Sequence, residues 1–405
     1  MKRTIAALSA VGALLAGAIA PAGAGPTKVE SKSDNVKHLG QIPFPLGGEL
    51  ARSGRYLYAS SSDGRGDNPE NGGLHIIDTK TLKQVGFLHC PGNDNDVEVV
   101  RPGLVVMSFL MNRCALGTGG GLMLIDVKNP TKPRVISAIN TGADTHTVKP
   151  VPGTNLLYLA GGEYIPGTDY GPSVVDISNP AKPEVVARPQ TLTTDCHDIS
   201  FSFTEEDRKL GFCAGALNGT GEVKVWDVTD PLNPTLISSI VNPVIQYSHY
   251  AVANPDGTLL AIDDEAFVAH DCNTDVSPTG RVWIYDISNP QTPLLQSSFA
   301  PPRGGNGGTN VGLFPEELPG DEGWVESWCM SHGLDWHPTT NNLAVTWYTG
   351  GVSVLDVNDP LQPTEAAHFQ AEDSSTYSAL WHAGYLFTND HMGRGVDVFK
   401  ISGLK

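Results

Sequence analysis

The feature that most constrains this chain is a short apolar segment that recurs seven times, roughly every fifty residues. Each copy begins at a glycine, is rich in β-branched or aromatic residues, and is apolar on both faces of an extended chain. This pattern is typical of a strand buried between two layers. The copies are Gly73–Asp78, Gly121–Asp126, Gly171–Asp176, Gly221–Asp227, Gly280–Asp286, Gly351–Asp356 and Gly395–Lys400. A fixed period of this length predicts an array of similar units.

A turn signature follows the aspartate that ends most copies. An Asn-Pro or Asp-Pro dipeptide follows, with a second proline shortly after it. The dipeptides are Asn129–Pro130, Asn179–Pro180, Asp230–Pro231, Asn289–Pro290 and Asp359–Pro360. The aspartate carboxylate can accept backbone N–H groups in such a turn, and proline suits the outer edge strand that comes next. We therefore interpret the repeated aspartate as structural.

The repeat predicts an all-β fold. Each unit has room for two more strands upstream, which makes four short antiparallel strands, and no amphipathic helical window interrupts them. Seven such units predict a seven-bladed β-propeller that forms a single domain over residues 25–405. The last unit stops after its third strand, so we expect the N-terminal segment Val36–Ile42 to supply the fourth and close the ring.

The repeated segments resemble those of the LVIVD-repeat family of propellers. The motifs that carry the resemblance are Leu-Ile-Asp-Val, Val-Val-Asp-Ile and Val-Leu-Asp-Val, each followed by an Asn-Pro or Asp-Pro turn and the second proline. The resemblance covers essentially all of residues 25–405. It implies a bacterial protein that is exported or displayed on the surface, and it implies no single activity.

The first 24 residues have the features of a secretory signal peptide. Lys2 and Arg3 precede an apolar core, and Ala22–Ala24 offers small residues for cleavage. We expect a secreted, extracellular protein, with the bacterial cell surface or the periplasm as alternatives. No later apolar stretch approaches the ~20 residues of a membrane-spanning helix, so no transmembrane anchor is expected. The net charge of −18 argues against nucleic acid as a partner.

Six cysteines fit an oxidising compartment, where an even number favours disulfides. Six cysteines allow fifteen pairings. The repeat brings them together as Cys90–Cys114, Cys196–Cys213 and Cys272–Cys329, and we predict these as structural bonds. Thiolate ligands to a metal are the alternative.

One column of residues recurs at the start of each innermost strand, where the strands of a propeller line its central channel. In blade order the column is Gly47, Asp96, His146, His197, His249, His332 and Tyr377. The loops between second and third strands open on the same face and contribute Glu163, Glu265, Asp390 and His391.

Two explanations of this column compete. In the first, the histidines bind copper, zinc or iron at the channel mouth, and a carboxylate from Asp96, Glu163 or Glu265 completes the site. In the second, the histidine was copied with each unit and only lines a polar channel. The column is not uniform, which favours the first explanation, whereas repetition itself favours the second.

Two long insertions are predicted on the same face. They span residues 267–279 and 300–327, and Trp324 and Trp328 lie in or beside the second. Long loops of this kind are more often functional or disordered than neutral. With Tyr377, Asp390 and His391 they form a predicted ligand-binding face.

Three functions remain open from the sequence. The leading hypothesis is a propeller that binds a small molecule or an extracellular or cell-surface protein on this face, with a transition metal at the channel mouth. A metal-dependent oxidoreductase or hydrolase that uses the same histidines is the alternative. A purely structural or interaction protein of the surface is the third. We expect a monomer in each case.

Overall fold

The computed structural model describes most of the chain after the N-terminal segment. The described residues are 27–62, 72–90, 92–93, 96–109, 111–112, 114, 120–141, 145–160, 172–189, 196–204, 208–215, 221–266, 280–304 and 329–405. No helix in these ranges is long and apolar enough to cross a membrane.

Seven antiparallel sheets form the blades of the propeller, six with four strands and one with five. Blade 1 contains β3 (Gly47–Ser53), β4 (Tyr56–Ser61), β5 (Gly73–Asp78) and β6 (Lys83–His89). Blade 2 contains β8 (Val97–Arg101), β9 (Leu104–Phe109), β11 (Gly121–Asp126) and β12 (Arg134–Asn140). Blade 3 contains β13 (Thr147–Pro150), β14 (Leu156–Ala160), β15 (Ser173–Asp176) and β16 (Glu184–Ala187). A two-stranded ribbon of β7 (Gly92–Asn93) and β10 (Met111–Asn112) accompanies blade 2.

The remaining blades follow the same order. Blade 4 contains β17 (Asp198–Phe203), β18 (Lys209–Ala214), β19 (Glu222–Asp227) and β20 (Thr235–Val241). Blade 5 contains β21 (Ser248–Ala253), β22 (Leu259–Asp264), β23 (Val282–Asp286) and β24 (Leu294–Phe299). Blade 6 contains β25 (Leu334–Trp336), β26 (Asn342–Thr346), β27 (Val352–Asp356) and β28 (Thr364–Ala371). Blade 7 contains β29 (Thr376–His382), β30 (Tyr385–Asp390), β31 (Gly395–Ile401) and β2 (Val36–Ile42).

The N-terminal strand closes the ring, as predicted. β2 pairs antiparallel with β31, and Ile42 lies opposite Val396. A further strand was not predicted: β1 (Val29–Lys32) adds to β28 as a fifth strand of blade 6. The N-terminal segment therefore ties the last two blades together, which leaves no open edge between the ends of the chain.

A close backbone approach requires glycine at the start of five repeated strands, at Gly73, Gly121, Gly221, Gly351 and Gly395. A Cβ atom on Gly121 would lie 2.1 Å from the carbonyl oxygen of Ile139 on the adjacent outer strand. The same contact recurs at 2.1 Å between Gly351 and Phe369. No larger residue fits these positions, because real side chains do not tolerate such distances.

The repeated aspartate is structural, as the sequence indicated. The Asp126 carboxylate accepts the N–H of Lys128 at 3.0 Å, and Asn129 accepts the N–H of Thr131 at 3.2 Å. The bond to the Lys128 N–H, followed by the Arg134 side chain, lowers the pKa of Asp126. The carboxylate therefore shapes the turn and does not face the channel.

The core consists of apolar layers between neighbouring blades. Phe212 and Val225 of blade 4 pack with Leu260 and Ile262 of blade 5, and all four side chains are fully buried.

Hydrogen bonds also join the blades on the outside, where serine hydroxyls donate to proline carbonyls in the turn of the neighbouring blade. These bonds are Ser137 to Pro180, Ser238 to Pro290 and Ser297 to Pro360, at 2.6, 2.6 and 2.7 Å.

Two of the three predicted disulfides are present. Cys90 pairs with Cys114 and Cys196 pairs with Cys213, each with a Cα–Cα distance of 5.2 Å. Cys272, the predicted partner of Cys329, lies outside the described residues.

Candidate metal centre at the channel mouth

The structure brings the predicted histidine column together as a continuous arc of rings. Consecutive ring centroids lie 3.9 to 4.7 Å apart along His146, His197, His249, His332, Tyr377 and His391. Each of the first five stands within two residues of the start of an innermost strand. Neighbouring blades thus place equivalent positions side by side around the channel.

Two of these imidazoles form a cluster with Glu265 that has the spacing of metal ligands. One ligand atom each from His197, His249 and Glu265 lie within 4.8 Å of one another, and all three side chains are buried. The two carboxylate oxygens of Glu265 face different imidazoles, with Oε2 3.8 Å from Nε2 of His249 and Oε1 3.8 Å from Nε2 of His332. His332 is therefore a fourth candidate ligand. His146 lies one ring further along the arc.

Hydrogen bonds at Nδ1 orient these imidazoles. His332 Nδ1 donates to the carbonyl oxygen of Tyr377 at 2.9 Å, which leaves the Nε2 lone pair toward Glu265. His249 Nδ1 lies 3.2 Å from Oδ2 of Asp263, and His197 Nδ1 lies 3.1 Å from the hydroxyl of Tyr247. A partner at one ring nitrogen is the arrangement that presents the other nitrogen to a metal.

Burial keeps the imidazoles of His249 and His332 neutral. It lowers the pKa of His249 well below its usual value, and the neighbouring His332 and His197 lower it further. Burial likewise lowers the pKa of His332 well below its usual value. The neutral imidazole is the form that binds a metal ion, so no proton has to leave these rings first.

Tyr348 supports the carboxylate of the cluster. Its buried hydroxyl donates a hydrogen bond to Oε1 of Glu265. Tyr348 also has a left-handed backbone with a φ of 47°, and Leu46, which lines the channel mouth, has a φ of 51°. Among the described residues, these are two of four non-glycine residues with positive φ. Such strained residues concentrate at functional sites.

Other predicted site residues have different surroundings. Asp96 lines the mouth, but its carboxylate accepts the N–H groups of Val97 and Val148 at 2.7 and 2.9 Å. Asp390 accepts the N–H groups of Ser375 and Met392 at 2.6 and 2.9 Å and so shapes its loop. His391 stacks on Tyr377 and contacts the carbonyl oxygen of Gly47 through Nδ1 at 3.0 Å.

Part of the predicted ligand face falls outside the described residues, namely Glu163, Trp324, Trp328 and nearly all of both insertions.

Sequence reasoning missed the residues that orient the cluster. Asp263, Tyr247 and Tyr348 carry no repeat signature, although Asp263 opens a run of three acidic residues at the end of an otherwise apolar strand. That run was the available signal for an unusual second strand in blade 5.

Comparisons with known proteins identify the repeat and the fold. The LVIVD repeat model matches residues 117–141 and 164–191, so the chain carries LVIVD repeats. No curated protein sequence matches this chain.

Two solved structures are similar in fold. The β-propeller domain of Cps50 (Swd1) from Myceliophteria thermophila has a TM-score of 0.58 at 12% identity, covering 91% of this chain and 100% of that chain. Sqt1 from Saccharomyces cerevisiae has a TM-score of 0.52 at 12% identity, covering 91% of this chain and 88% of that chain. At this identity the likeness extends to the propeller fold alone.

Proposed function

We propose that this LVIVD-repeat propeller binds a copper, zinc or iron ion at the channel mouth and uses it to take up a small ligand or an extracellular partner. The observation that carries the proposal is the buried group of His197, His249 and Glu265, whose ligand atoms lie within 4.8 Å of one another. His332 adds a third imidazole that faces the same carboxylate.

The donor set favours these ions. Imidazole nitrogens with a single carboxylate suit zinc, copper and iron, whereas calcium and magnesium prefer oxygen donors throughout. The cluster adjoins a cavity of about 20 Å³, enough for one water molecule, whose lining includes His249, Tyr377 and His391. A metal bound beside this cavity would keep one position open to water or to a small exogenous ligand atom.

The competing explanation is that the histidines are structural features copied with the repeat. The His332 bond to the Tyr377 carbonyl of the next blade fits that explanation. Repetition alone does not require two imidazoles to face opposite oxygens of one buried carboxylate, as His249 and His332 face Glu265. This convergence supports a ligand set.

Elemental analysis tests the proposal directly. The protein is purified without chelators or a His-tag and compared with His197→Ala and His249→Ala, and with His337→Ala as the matched control. His337 is hydrogen-bonded to Thr340 in the turn between β25 and β26 of blade 6, away from the cluster. We expect one equivalent of metal in the parent and the control, and none in the other two. A parent that stays metal-free after incubation with excess ions contradicts the proposal.

A metal-dependent oxidoreductase or hydrolase is the second candidate. The observation that favours it is the hydrogen bond from the Tyr348 hydroxyl to Glu265, which places a proton donor beside the carboxylate of the candidate ligand group. Turnover that rises and falls with metal content would support the enzyme. Stoichiometric metal without turnover supports a binding protein, and a metal-free protein that captures surface material supports the structural role.

We also propose that the mature chain, residues 25–405, acts outside the cytoplasm as a monomer, either secreted, on the bacterial surface or in the periplasm. The two disulfides fit an oxidising compartment. Sequencing the N-terminus of the exported protein and measuring its mass by light scattering test both parts.

A further inference from the structure

A large polar cavity continues along the channel beneath the candidate metal centre. Its volume is about 340 Å³, and innermost strands of several blades line it. His249 and His332 form part of its wall, so one end of the cavity meets the candidate ligands. A cavity of this size holds a small organic molecule.

The cavity wall carries more carboxyl groups than cationic groups. Four carboxylates line it, from Glu49, Glu98, Asp198 and Asp335, against the two cations of Arg52 and Lys149. Both cations already have partners. Lys149 Nζ lies 2.7 Å from Glu98 and 3.5 Å from Asp96, and Arg52 donates to Asp335 at 3.0 Å.

Glu49 and Asp198 line the cavity, and among the described residues neither makes an ion pair, although Lys149 acts on both from a longer distance. Asp198 is only 7% exposed, and the hydrogen bond to its carboxylate in the described part of the chain comes from the neighbouring Ile199 N–H. Burial, followed by the charge of Asp96, raises the pKa of Glu49 to about 8. Glu49 therefore mostly keeps its proton at neutral pH in the empty cavity, and a bound cation would favour its ionised form.

Both residues also line the smaller cavity at the mouth. They therefore lie where the two cavities adjoin, together with His249.

The carboxylates favour an organic cation over a bare metal ion as the natural occupant. Among the described residues, the sole group with mutual metal-ligand distances is His197, His249 and Glu265, and neither Glu49 nor Asp198 belongs to it. An organic ammonium is larger and needs no inner shell of ligands. The cavity also offers apolar contacts for a carbon chain at Leu334 and Leu380.

We propose that the channel binds a small primary amine, with its ammonium between Glu49 and Asp198 and its apolar body along Leu334 and Leu380. This site is distinct from the metal proposal and does not need the metal. It therefore goes beyond the proposed function, and a metal-free protein is the proper material for its test.

The test is calorimetric titration of the metal-free protein with n-butylamine, using n-butanol as the uncharged probe of the same length. We expect n-butylamine to bind at least tenfold more tightly than n-butanol. Glu49→Gln and Asp198→Asn each remove a carboxyl group that can ionise beside the bound ammonium while keeping the shape, and in Asp198→Asn the amide oxygen can still accept the Ile199 N–H. Each should weaken amine binding at least tenfold, whereas Glu184→Gln on the outer strand β16 should leave it unchanged.

Equal binding of the two probes, or unchanged amine binding in both variants, overturns the proposal. Displacement of the amine by stoichiometric Ca²⁺ also overturns it, because that result assigns the carboxylates to a metal. Circular dichroism of each variant checks the fold, and if Glu49→Gln fails to fold then Asp198→Asn carries the test. Metal content is measured separately, so failure of this site and failure of the metal centre are distinguishable.

Discussion

Asp263 and His249 lie on paired strands of blade 5, and the Asp263 Oδ2 atom is 3.2 Å from Nδ1 of the imidazole. Asp263 is fully buried, and its other oxygen accepts the backbone N–H of Tyr250. The carboxylate is thus fixed by the strand and in turn fixes the ring. A carboxylate that orients an imidazole in this way raises its basicity as a ligand.

Asp263→Asn should weaken metal binding at the channel mouth by about 10- to 100-fold, because loss of such an orienting partner has that effect. Competition with a chelator of known affinity measures the change. Asp264→Asn is the matched control, since Asp264 instead accepts the N–H groups of Gln246, Tyr247 and Gly280. It should lower the melting temperature with little effect on metal affinity in the folded protein. Equal affinity in Asp263→Asn and the parent would refute the orienting role.

Tyr348→Phe should weaken metal binding about tenfold while leaving one equivalent bound, because the variant loses the hydroxyl that holds Glu265 in place. Tyr285→Phe serves as the control. Its hydroxyl accepts a hydrogen bond from Asn242, which directly follows β20 of blade 4, so its loss should affect stability only. The same chelator competition distinguishes the two variants. Unaltered affinity in Tyr348→Phe would show that Glu265 does not depend on this bond.

Arg394→Gln should destabilise the closed ring strongly. Arg394 is 4% exposed and donates two hydrogen bonds of 2.9 Å to Asp397 on β31, the strand that pairs with β2. Removing one member of a buried ion pair costs roughly 3–5 kcal/mol, because the other charge is left buried.

Arg134→Gln provides the comparison for that variant. The Arg134 side chain is 72% exposed where it pairs with Asp126, and exposed pairs contribute about 0–1 kcal/mol. Urea unfolding of both variants measures the difference. Similar losses of unfolding free energy in the two variants would contradict this prediction. They would mean that another group still compensates the charge of Asp397, for example His38, whose Nε2 atom lies 2.7 Å away.

The sequence predicted the blades because each blade repeats one local code. Each part of the repeat has a local physical cause: the glycine, the apolar run, the aspartate and the Asn-Pro turn. Every copy of the repeat therefore predicts the same strand and turn. Ring closure by β2 was also predictable, since the last unit visibly lacked a strand. The added strand β1 was not, because four residues with mostly exposed side chains carry no burial signal.

The candidate site was only half predictable. The histidine column follows the repeat and therefore emerged from alignment of the units. Asp263 contacts His249 because their strands pair within blade 5, and Tyr348 contacts Glu265 across two blades. Neither contact produces a periodic pattern in the sequence. Glu49 and Asp198 make no ion pair because Lys149 pairs with Glu98 and Arg52 pairs with Asp335. Sequence spacing does not reveal which carboxylates these two cations choose.

His75 should make stability depend on pH in a defined window. It is buried in blade 1, stacked on Phe44 with ring centroids 3.8 Å apart, and bonded to Gln84 through Nδ1 at 2.9 Å. Burial lowers its pKa to about 4, against about 6.5 for an unfolded histidine. The unfolded chain therefore binds more protons between these values, and stability rises with pH across that range.

The contribution of His75 is fully present above about pH 6.5 and is lost progressively as pH falls to about 4, a change of roughly 3 kcal/mol. His75→Gln in the metal-free protein should flatten this part of the profile relative to the parent, even if its stability at neutral pH is lower. His89→Gln, on the exposed end of β6, should retain the parent slope. Unfolding free energies from urea titrations at pH 4.5, 5.5, 6.5 and 7.5 give the slopes. Parallel profiles for His75→Gln and the parent would show that His75 takes up its proton without unfolding the blade.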